Sequence, residues 1–223
     1  DHAGWVFSWE PALRVNQDGV RFFDETMSTD FSRGSNAIAA QQNSFTIIDQ
    51  AYLDRINDEA LPMGLESVGL TTGQPMTDAR ESVLKAVADG KVYKSDTIED
   101  LATQLGLDAQ VFAATVDEYN QCAVDGIDPV YGTKGASLVP LTTPPFYASV
   151  AQLAIFTSVG GLRTDENLRV LNTDGKPIDH LFAIGTDASS YAGRDYDVGI
   201  FSGAQQGWCA YGGKHAAEYI LGN

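Results

Sequence analysis

The sequence has few cysteines, few histidines and no long apolar run. Its two cysteines, Cys122 and Cys209, stand far apart and lack the paired spacing of a zinc site or a redox motif. The three histidines, His2, His180 and His215, have no ligand spacing among them, so we expect no metal site. Because no stretch of about 18 consecutive apolar residues occurs, we expect no membrane-spanning helix.

Basic residues are also scarce, since 14 Lys and Arg stand against 30 Asp and Glu and the formal net charge is -16. Such a chain repels a phosphate backbone or an anionic membrane, so we do not expect nucleic acid as a partner. A cleft can still take an anionic cofactor through local cations and backbone N–H groups. The 223 residues suffice for one large or two small folded domains, and nothing in them indicates a compartment.

The first half of the chain predicts strands followed by helices. Two β-like runs, Ala12–Asn16 and Val20–Phe23, flank an Asp18-Gly19 turn and predict a hairpin. Ser44–Asp49 predicts a third strand, and the helical spacing of apolar residues predicts a helix over Gln50–Ala60.

Three helices are predicted in the middle of the chain. The first is capped by Thr77 or Asp78 and reaches Ala88. The second begins at Thr97 and ends at Gly106, and the third runs from Asp108 to Gly126. The prolines between 140 and 145 then break regular structure and favour a domain boundary nearby.

The last third predicts extended runs and a final helix. The runs are Phe146–Ile155, Leu168–Leu171 and Leu181–Ile184, with a turn over Asn172–Gly175. The helix covers Gly203–Leu221, and its predicted inner face consists of Ala204, Trp208, Tyr211, His215 and Tyr219.

One arrangement in this region indicates chemistry. An apolar strand, His180–Ile184, leads into Gly185-Thr186-Asp187, and a helix with small first residues opens at Ser202-Gly203-Ala204. A glycine-ended strand brings the backbone close to a ligand, and a helix start presents free N–H groups to an electron-rich atom. The arrangement suits a flavin, although plain packing of a strand, a loop and a helix produces the same pattern.

Four segments resemble the fumarate reductase and succinate dehydrogenase flavoprotein family. They are Val15–Glu25, similar to the "VN..G.RF..E" of the family; Val92–Asn120, similar to its capping-domain helices; Thr157–Leu162, similar to its "T.GG"; and Leu181–Thr186 with the helix from Gly203. The resemblance is to the soluble bacterial branch that includes urocanate reductases and 3-ketosteroid dehydrogenases, and the segments follow the order of the family.

The resemblance implies an α+β fold with two parts and FAD as the cofactor. Residues 1–148 would form the substrate-capping domain, and residues 149–223 the C-terminal segment of the FAD-binding domain. The Rossmann-like G-x-G-x-x-G of the family does not occur here, since Gly19, Gly34 and Gly64 stand alone. We therefore expect the chain to be a domain fragment whose partner is an N-terminal Rossmann domain of the same protein. The fragment by itself should not bind FAD tightly. Its flavin-facing surface favours self-association.

The resemblance also implies the cofactor-binding residues. Those near the flavin would be Thr157, Gly160, Gly161, Gly185, Thr186, Asp187, Ala204 and Gln205. Asp187 stands where the family usually places a Glu, and Ala204 and Gln205 begin the helix whose N–H groups would stabilise negative charge on the reduced ring.

The catalytic residues depart from the family pattern. Thr29 stands where fumarate reductases have the proton-donating arginine, and Arg33 lies one helical turn further on, so Arg33 is a candidate donor or a surface arginine. Arg194 could bind a substrate carboxylate and Tyr196 could donate a proton, or the loop 191–197 could simply be linked by its own salt bridges.

The clamp for two carboxylates is not found near Phe156 and Gly199, so fumarate is not the expected substrate. The sequence thus predicts a fragment of an FAD-dependent oxidoreductase that transfers a hydride to or from an activated carbon–carbon double bond of a small organic substrate. The alternative is a non-catalytic binding module that keeps the cap fold without redox function.

Overall fold

Helices and strands alternate along the chain and divide between two units. The computed structural model describes residues 2–65, 69–133, 137–153, 157–158, 160–188, 196 and 203–222. One unit contains residues 1–29 with 33–153, and the other contains residues 30–32 with 154–223.

The first unit combines six α-helices, one short 3₁₀ helix and four strands among its described residues. In chain order these are α1 (His2–Ser8), β1 (Leu13–Asn16), a short 3₁₀ helix (Glu25–Thr29), α2 (Phe31–Ala39), β2 (Ser44–Asp49), α3 (Gln50–Asp58), α4 (Ala79–Ala88), β3 (Val92–Ser95), α5 (Ile98–Leu105), α6 (Ala109–Asp125) and β4 (Phe146–Val150). Helix α2 begins within residues 30–32, which group with the second unit.

The four strands form one antiparallel sheet in the order β1-β2-β4-β3. Every residue of β2 is buried. Alternate side chains of the strand enter two different apolar clusters, Ile48 with residues of α1, α3 and α4, and Phe45 and Ile47 with residues of α5 and α6. A strand covered on both faces has no polar alternation, which explains the run SFTIID.

The predicted helix ends of the middle region are confirmed. The Thr97 side chain accepts the Asp100 N–H at 3.1 Å, and Asp108 accepts two N–H groups at the start of α6. Gly106 and Gly126 follow the two helices in the left-handed conformation. Local capping chemistry therefore sets these boundaries.

The N-terminal capping bond predicted for α4 is not made by Asp78. Asp78 makes no capping bond, because its carboxylate instead contacts His2 Nδ1 at 2.6 Å. This interaction joins α1 to the start of α4 across 76 positions of sequence. A local sequence pattern does not show that a residue 76 positions away competes for the capping side chain.

Two strands predicted for the first unit differ in the structure, one being absent and one shorter. Only the first arm of the predicted hairpin is a strand, since the second makes a single bridge between Val15 and Arg21 beyond the Gly19 turn. The run from Phe146 ends as a strand at Val150, and Ile155 lies outside the described residues.

The second unit contains β5 (Arg169–Leu171), β6 (Pro177–Phe182), a short 3₁₀ helix (Gly185–Asp187) and α7 (Ala204–Leu221). β5 and β6 form a hairpin whose turn is closed by the Gly175 N–H on the Asn172 carbonyl at 3.0 Å. The predicted strand through Ile184 ends at Phe182. Among the described residues, no helix combines the length and the apolar character that crossing a membrane requires.

The predicted inner face of α7 is partly wrong. Gly212 and Ala216 are its buried residues, whereas Tyr211 is 58% exposed and Tyr219 is 39% exposed. A Cβ at Gly212 would lie 3.3 Å from Leu168 Cδ1. The helix therefore packs through its smallest side chains, because these allow close approach to the neighbouring backbone.

Candidate functional site

The "RF..E" segment forms a buried ion cluster. The Arg21 guanidinium donates to both Glu25 carboxylate oxygens, at 2.9 and 2.7 Å, and pairs with Asp128 at 2.6 Å. It also lies over the rings of Tyr119 and Tyr131. Burial opposes the charge, but the two carboxylates outweigh it and raise the pKa of Arg21. These contacts link the segment after β1 to α6 and to the residues that follow it, and Asp128 was not anticipated from the sequence.

A second buried carboxylate, Glu10, links α1 to the loop after α3. Its oxygens accept the Trp5 Nε1–H at 3.0 Å and the Met63 N–H at 3.1 Å. The side chain is fully buried, and this burial raises the pKa of Glu10 to about 7 despite both hydrogen bonds and the charge of Arg55. The sequence gave no signal for this group.

The three predicted catalytic residues have different outcomes. Arg33 lies on α2 with an exposed side chain. Tyr196 is buried at 6% exposure, and its N–H donates to Ser32 Oγ at 3.3 Å within the second unit. Arg194 lies outside the described residues, as do Phe156 and Gly199. The catalytic roles of Arg33, Arg194 and Tyr196 stay predictions.

Two of the segments predicted to lie near the flavin contact each other in the second unit. The Leu162 N–H donates to the Asp187 carbonyl at 2.8 Å, and Leu162 forms a parallel bridge with Ala188. Ser158 Oγ donates to the Thr186 carbonyl at 3.1 Å. Ser158 and Leu162 of the first predicted segment therefore lie beside the second predicted segment, 185–187.

Gly161 makes this close crossing possible. A Cβ at this position would lie 2.5 Å from the carbonyl carbon and oxygen of Ala188 and 2.6 Å from the Asp187 carbonyl oxygen. At Gly160, by contrast, a Cβ would meet nothing within 4 Å. Only the second glycine of the pair is required by packing, and the first lies against open space.

Helix α7 packs against the same turn. Trp208 Nε1–H donates to the Gly185 carbonyl at 3.0 Å, and a Cβ on Gly185 would lie 2.9 Å from Cys209 Sγ. Gly185 also has a φ of 58°, which favours glycine. The adjacency of the glycine turn and the terminal helix, which the flavin hypothesis required, is thus observed. Trp208 was predicted only as an inner-face residue.

The start of α7 carries unsatisfied polar groups. The N-cap is Gly203, which has no side chain to bond the first N–H groups. Both side-chain amide atoms of Gln205, Oε1 and Nε2, are buried without a hydrogen-bond partner among the described residues. A helix start without a side-chain cap and a buried side-chain amide without a partner among the described residues fit an electron-rich, hydrogen-bonding ring such as an isoalloxazine.

One surface depression does not involve these residues. It has a volume of about 480 Å³ and lies in the first unit, where it is lined by Asn57, Thr77, Arg80, Glu81, Leu84 and Lys85. Arg80 already pairs with Asp54 and Asp58. None of the predicted site residues lines this depression, and its principal cation is neutralised, so we do not assign it a function. Within the described part of the chain, no group of three potential metal ligands occurs.

Comparisons with known proteins agree with the predicted resemblance. A sequence profile described as FAD binding domain matches residues 7–201. The vinyl phenol reductase of Lactiplantibacillus plantarum is 34% identical over 216 residues, which are 94% of this chain and 43% of that protein. The urocanate reductase of Eggerthella lenta is 29% identical over 186 residues, which are 82% of this chain and 27% of that protein.

A solved structure gives the same result. The 3-ketosteroid delta1-dehydrogenase from Sterolibacterium denitrificans, in complex with 1,4-androstadiene-3,17-dione, matches with a TM-score of 0.68 and 26% identity. The match covers 96% of this chain and 40% of that one. The chain spans less than half the length of each of these relatives, and the resemblance drawn from the four sequence segments is confirmed.

Proposed function

The chain belongs to the FAD binding domain family, and we propose that it forms the substrate cap and part of the flavin-facing wall of an FAD-dependent oxidoreductase acting on carbon–carbon double bonds. The observation that carries the proposal is that Ser158 and Leu162 contact residues 186–188, while Trp208 of α7 contacts Gly185. These contacts bring the glycine turn, the segment before it and the terminal helix together.

The flavin-facing set is the one predicted from the sequence: Thr157, Gly160, Gly161, Gly185, Thr186, Asp187, Ala204 and Gln205. The helix N–H groups at Ala204 and Gln205 would hold negative charge on the ring. Gly160, which faces open space, leaves room for the ring to approach the backbone. When bound, reduced FAD supplies a hydride to the double bond.

Protons would come from the side chains of the protein. Arg33 is the first candidate donor because its position, one turn beyond Thr29, is exposed on α2. Arg194 would bind an acidic group of the substrate, and the Tyr196 hydroxyl is the second candidate donor. A side chain positioned to donate a proton in this way typically contributes about 100-fold or more to the rate.

We propose a substrate in which a ring or a carbonyl group activates the double bond. Relatives of this chain are named for vinyl phenol and for urocanate, and the clamp for two carboxylates was not found in the sequence. Such a substrate would need only one anionic contact. We therefore expect fumarate to react poorly.

We further propose that residues 1–148 are the cap and residues 149–223 are part of the FAD-binding domain, completed by a Rossmann domain of the same protein. The second unit supports this proposal, because few of its described apolar residues are buried, namely Leu168, Val170, Ala183, Ala188, Tyr196 and Ala216. Large apolar side chains of the same unit are exposed, namely Leu162, Ile178, Leu181, Ile184, Tyr211, Tyr219, Ile220 and Leu221. Without its partner, such a surface favours self-association.

The proposal is tested on the complete protein purified with FAD. We expect stoichiometric flavin absorbance, and reoxidation of a reduced dye when 4-vinylphenol or urocanate is added, with little reaction on fumarate. Arg33→Gln should lower kcat by at least about 100-fold at unchanged flavin content, and Lys91→Gln, an exposed cation of the same unit, should not. A complete protein that stays colourless with FAD supplied contradicts the proposal.

The alternative is a non-catalytic binding module. Thr29 in place of the expected arginine favours it, and retention of the Gly185 turn against α7 opposes it, since a module without flavin does not need that turn. The same experiment separates the two, because the module would show no dye reoxidation with any unsaturated substrate.

A further inference from the structure

The side chain of Gln205 is an unusual element of the second unit. It lies in the first turn of α7, and both its carbonyl oxygen and its amide nitrogen are buried without a hydrogen-bond partner among the described residues. A buried primary amide normally has its donors and its acceptor satisfied. The next residue, Gln206, is exposed and can bond to water.

The missing partner must offer a donor and an acceptor side by side. The amide oxygen of Gln205 needs an N–H or O–H group, and the amide nitrogen needs an oxygen close to it. The pyrimidine edge of an isoalloxazine has this pattern, because its N3–H stands between two carbonyl oxygens. Neither the ribityl chain nor the dimethylbenzene edge of a flavin presents an N–H group beside a carbonyl oxygen.

We propose that the Gln205 side chain recognises the imide edge of the flavin, with Oε1 accepting from N3–H and Nε2 donating to an adjacent ring carbonyl. This inference rests on the proposed function and adds a specific recognition residue to it. The packing of α7 supports it, because Trp208 and Cys209, in the turn that follows Gln205, contact Gly185.

The proposal predicts opposite effects on the free and the flavin-bound protein. Gln205→Met replaces the amide by an apolar chain of similar length and removes two unsatisfied atoms from the ligand-free state. The flavin-free variant should therefore unfold at a higher temperature than the wild-type chain. The same substitution should weaken flavin binding, because the ring then loses both hydrogen bonds.

The decisive experiment uses the complete protein, stripped of flavin and reconstituted with either FAD or 3-methyl-FAD. The methyl group blocks N3–H and leaves the rest of the cofactor unchanged. We expect the wild-type protein to bind FAD at least about tenfold more tightly than the methylated form. Gln205→Met should bring that ratio close to one, and Gln206→Met should keep the wild-type ratio.

The outcomes distinguish a failure of the Gln205 proposal from a failure of the proposed function. If the wild-type protein takes up FAD but Gln205→Met keeps the full preference over 3-methyl-FAD, the role of Gln205 is wrong and the proposed function stands. If the wild-type protein takes up neither cofactor, both are wrong. Flavin fluorescence titration gives the affinities directly, without reference to turnover.

Discussion

Replacing Glu10 with glutamine should remove a pH dependence from the stability of the chain. In the folded chain the Glu10 carboxyl has a pKa of about 7, against 4.5 as its ordinary value, because burial disfavours its charged form. A raised pKa in the folded state contributes stability that is present below pH 4.5 and is lost as the pH rises through 7. Wild-type stability should therefore fall across this window.

The magnitude follows from the two pKa values. Between pH 5 and pH 8, linkage gives a loss of about 2.5 kcal/mol in the free energy of unfolding from this group alone. Glutamine cannot ionise, but its amide nitrogen cannot accept an N–H as a Glu10 oxygen does, so Glu10→Gln loses one of the two hydrogen bonds at every pH. Measured relative to wild type, the free energy of unfolding of Glu10→Gln should rise by about 2.5 kcal/mol from pH 5 to pH 8.

Urea unfolding at several pH values, followed by tryptophan fluorescence, measures this difference. Trp5 donates to Glu10 and stacks on Trp9 at 4.6 Å, so the emission reports on the same region. Glu59→Gln, at an exposed glutamate, is the control and should follow the wild-type curve at each pH. Parallel curves for wild type and Glu10→Gln between pH 5 and pH 8 would refute the reasoning.

Two further predictions concern packing and buried charge. Arg21→Met removes the guanidinium that pairs with the buried carboxylates of Glu25 and Asp128 and should lower the free energy of unfolding by about 3 to 5 kcal/mol in urea titrations, whereas a methionine at the exposed Lys85 should change it by less than about 0.5. An alanine at position 161 overlaps the Ala188 backbone and should speed hydrogen exchange of the next amide, while an alanine at position 160 should not; equal exchange in both variants would argue against the observed crossing.

Local signals in the sequence predicted much of the first unit correctly. Helix α5 begins after the Thr97 cap and ends before Gly106, and β2 spans the run predicted for it, because capping and continuous burial act between near neighbours. The bond between Asp78 and His2 and the pairing of Arg21 with Asp128 join distant positions. No local pattern encodes such contacts.

The sequence indicated the glycines at 161 and 185 as positions beside the flavin, and that role stays a prediction. In the structure a Cβ at either position would meet the chain itself, the backbone of Ala188 at 161 and Cys209 Sγ at 185. On α7, the aromatic stripe suggested the wrong buried face, since Gly212 and Ala216 allow closer packing than Tyr211. Side-chain size, which a hydrophobicity pattern does not measure, determines which face of α7 is buried.

The Arg21–Glu25 ion pair has a consequence for recognising members of this family. The "RF..E" signature identifies the scaffold because its arginine and glutamate bond each other in the interior, four residues apart. A protein can therefore retain this signature after its proton donor has changed or disappeared. To distinguish catalytic members of the family from non-catalytic ones, the residues after the signature must be compared, beginning with Thr29 and Arg33.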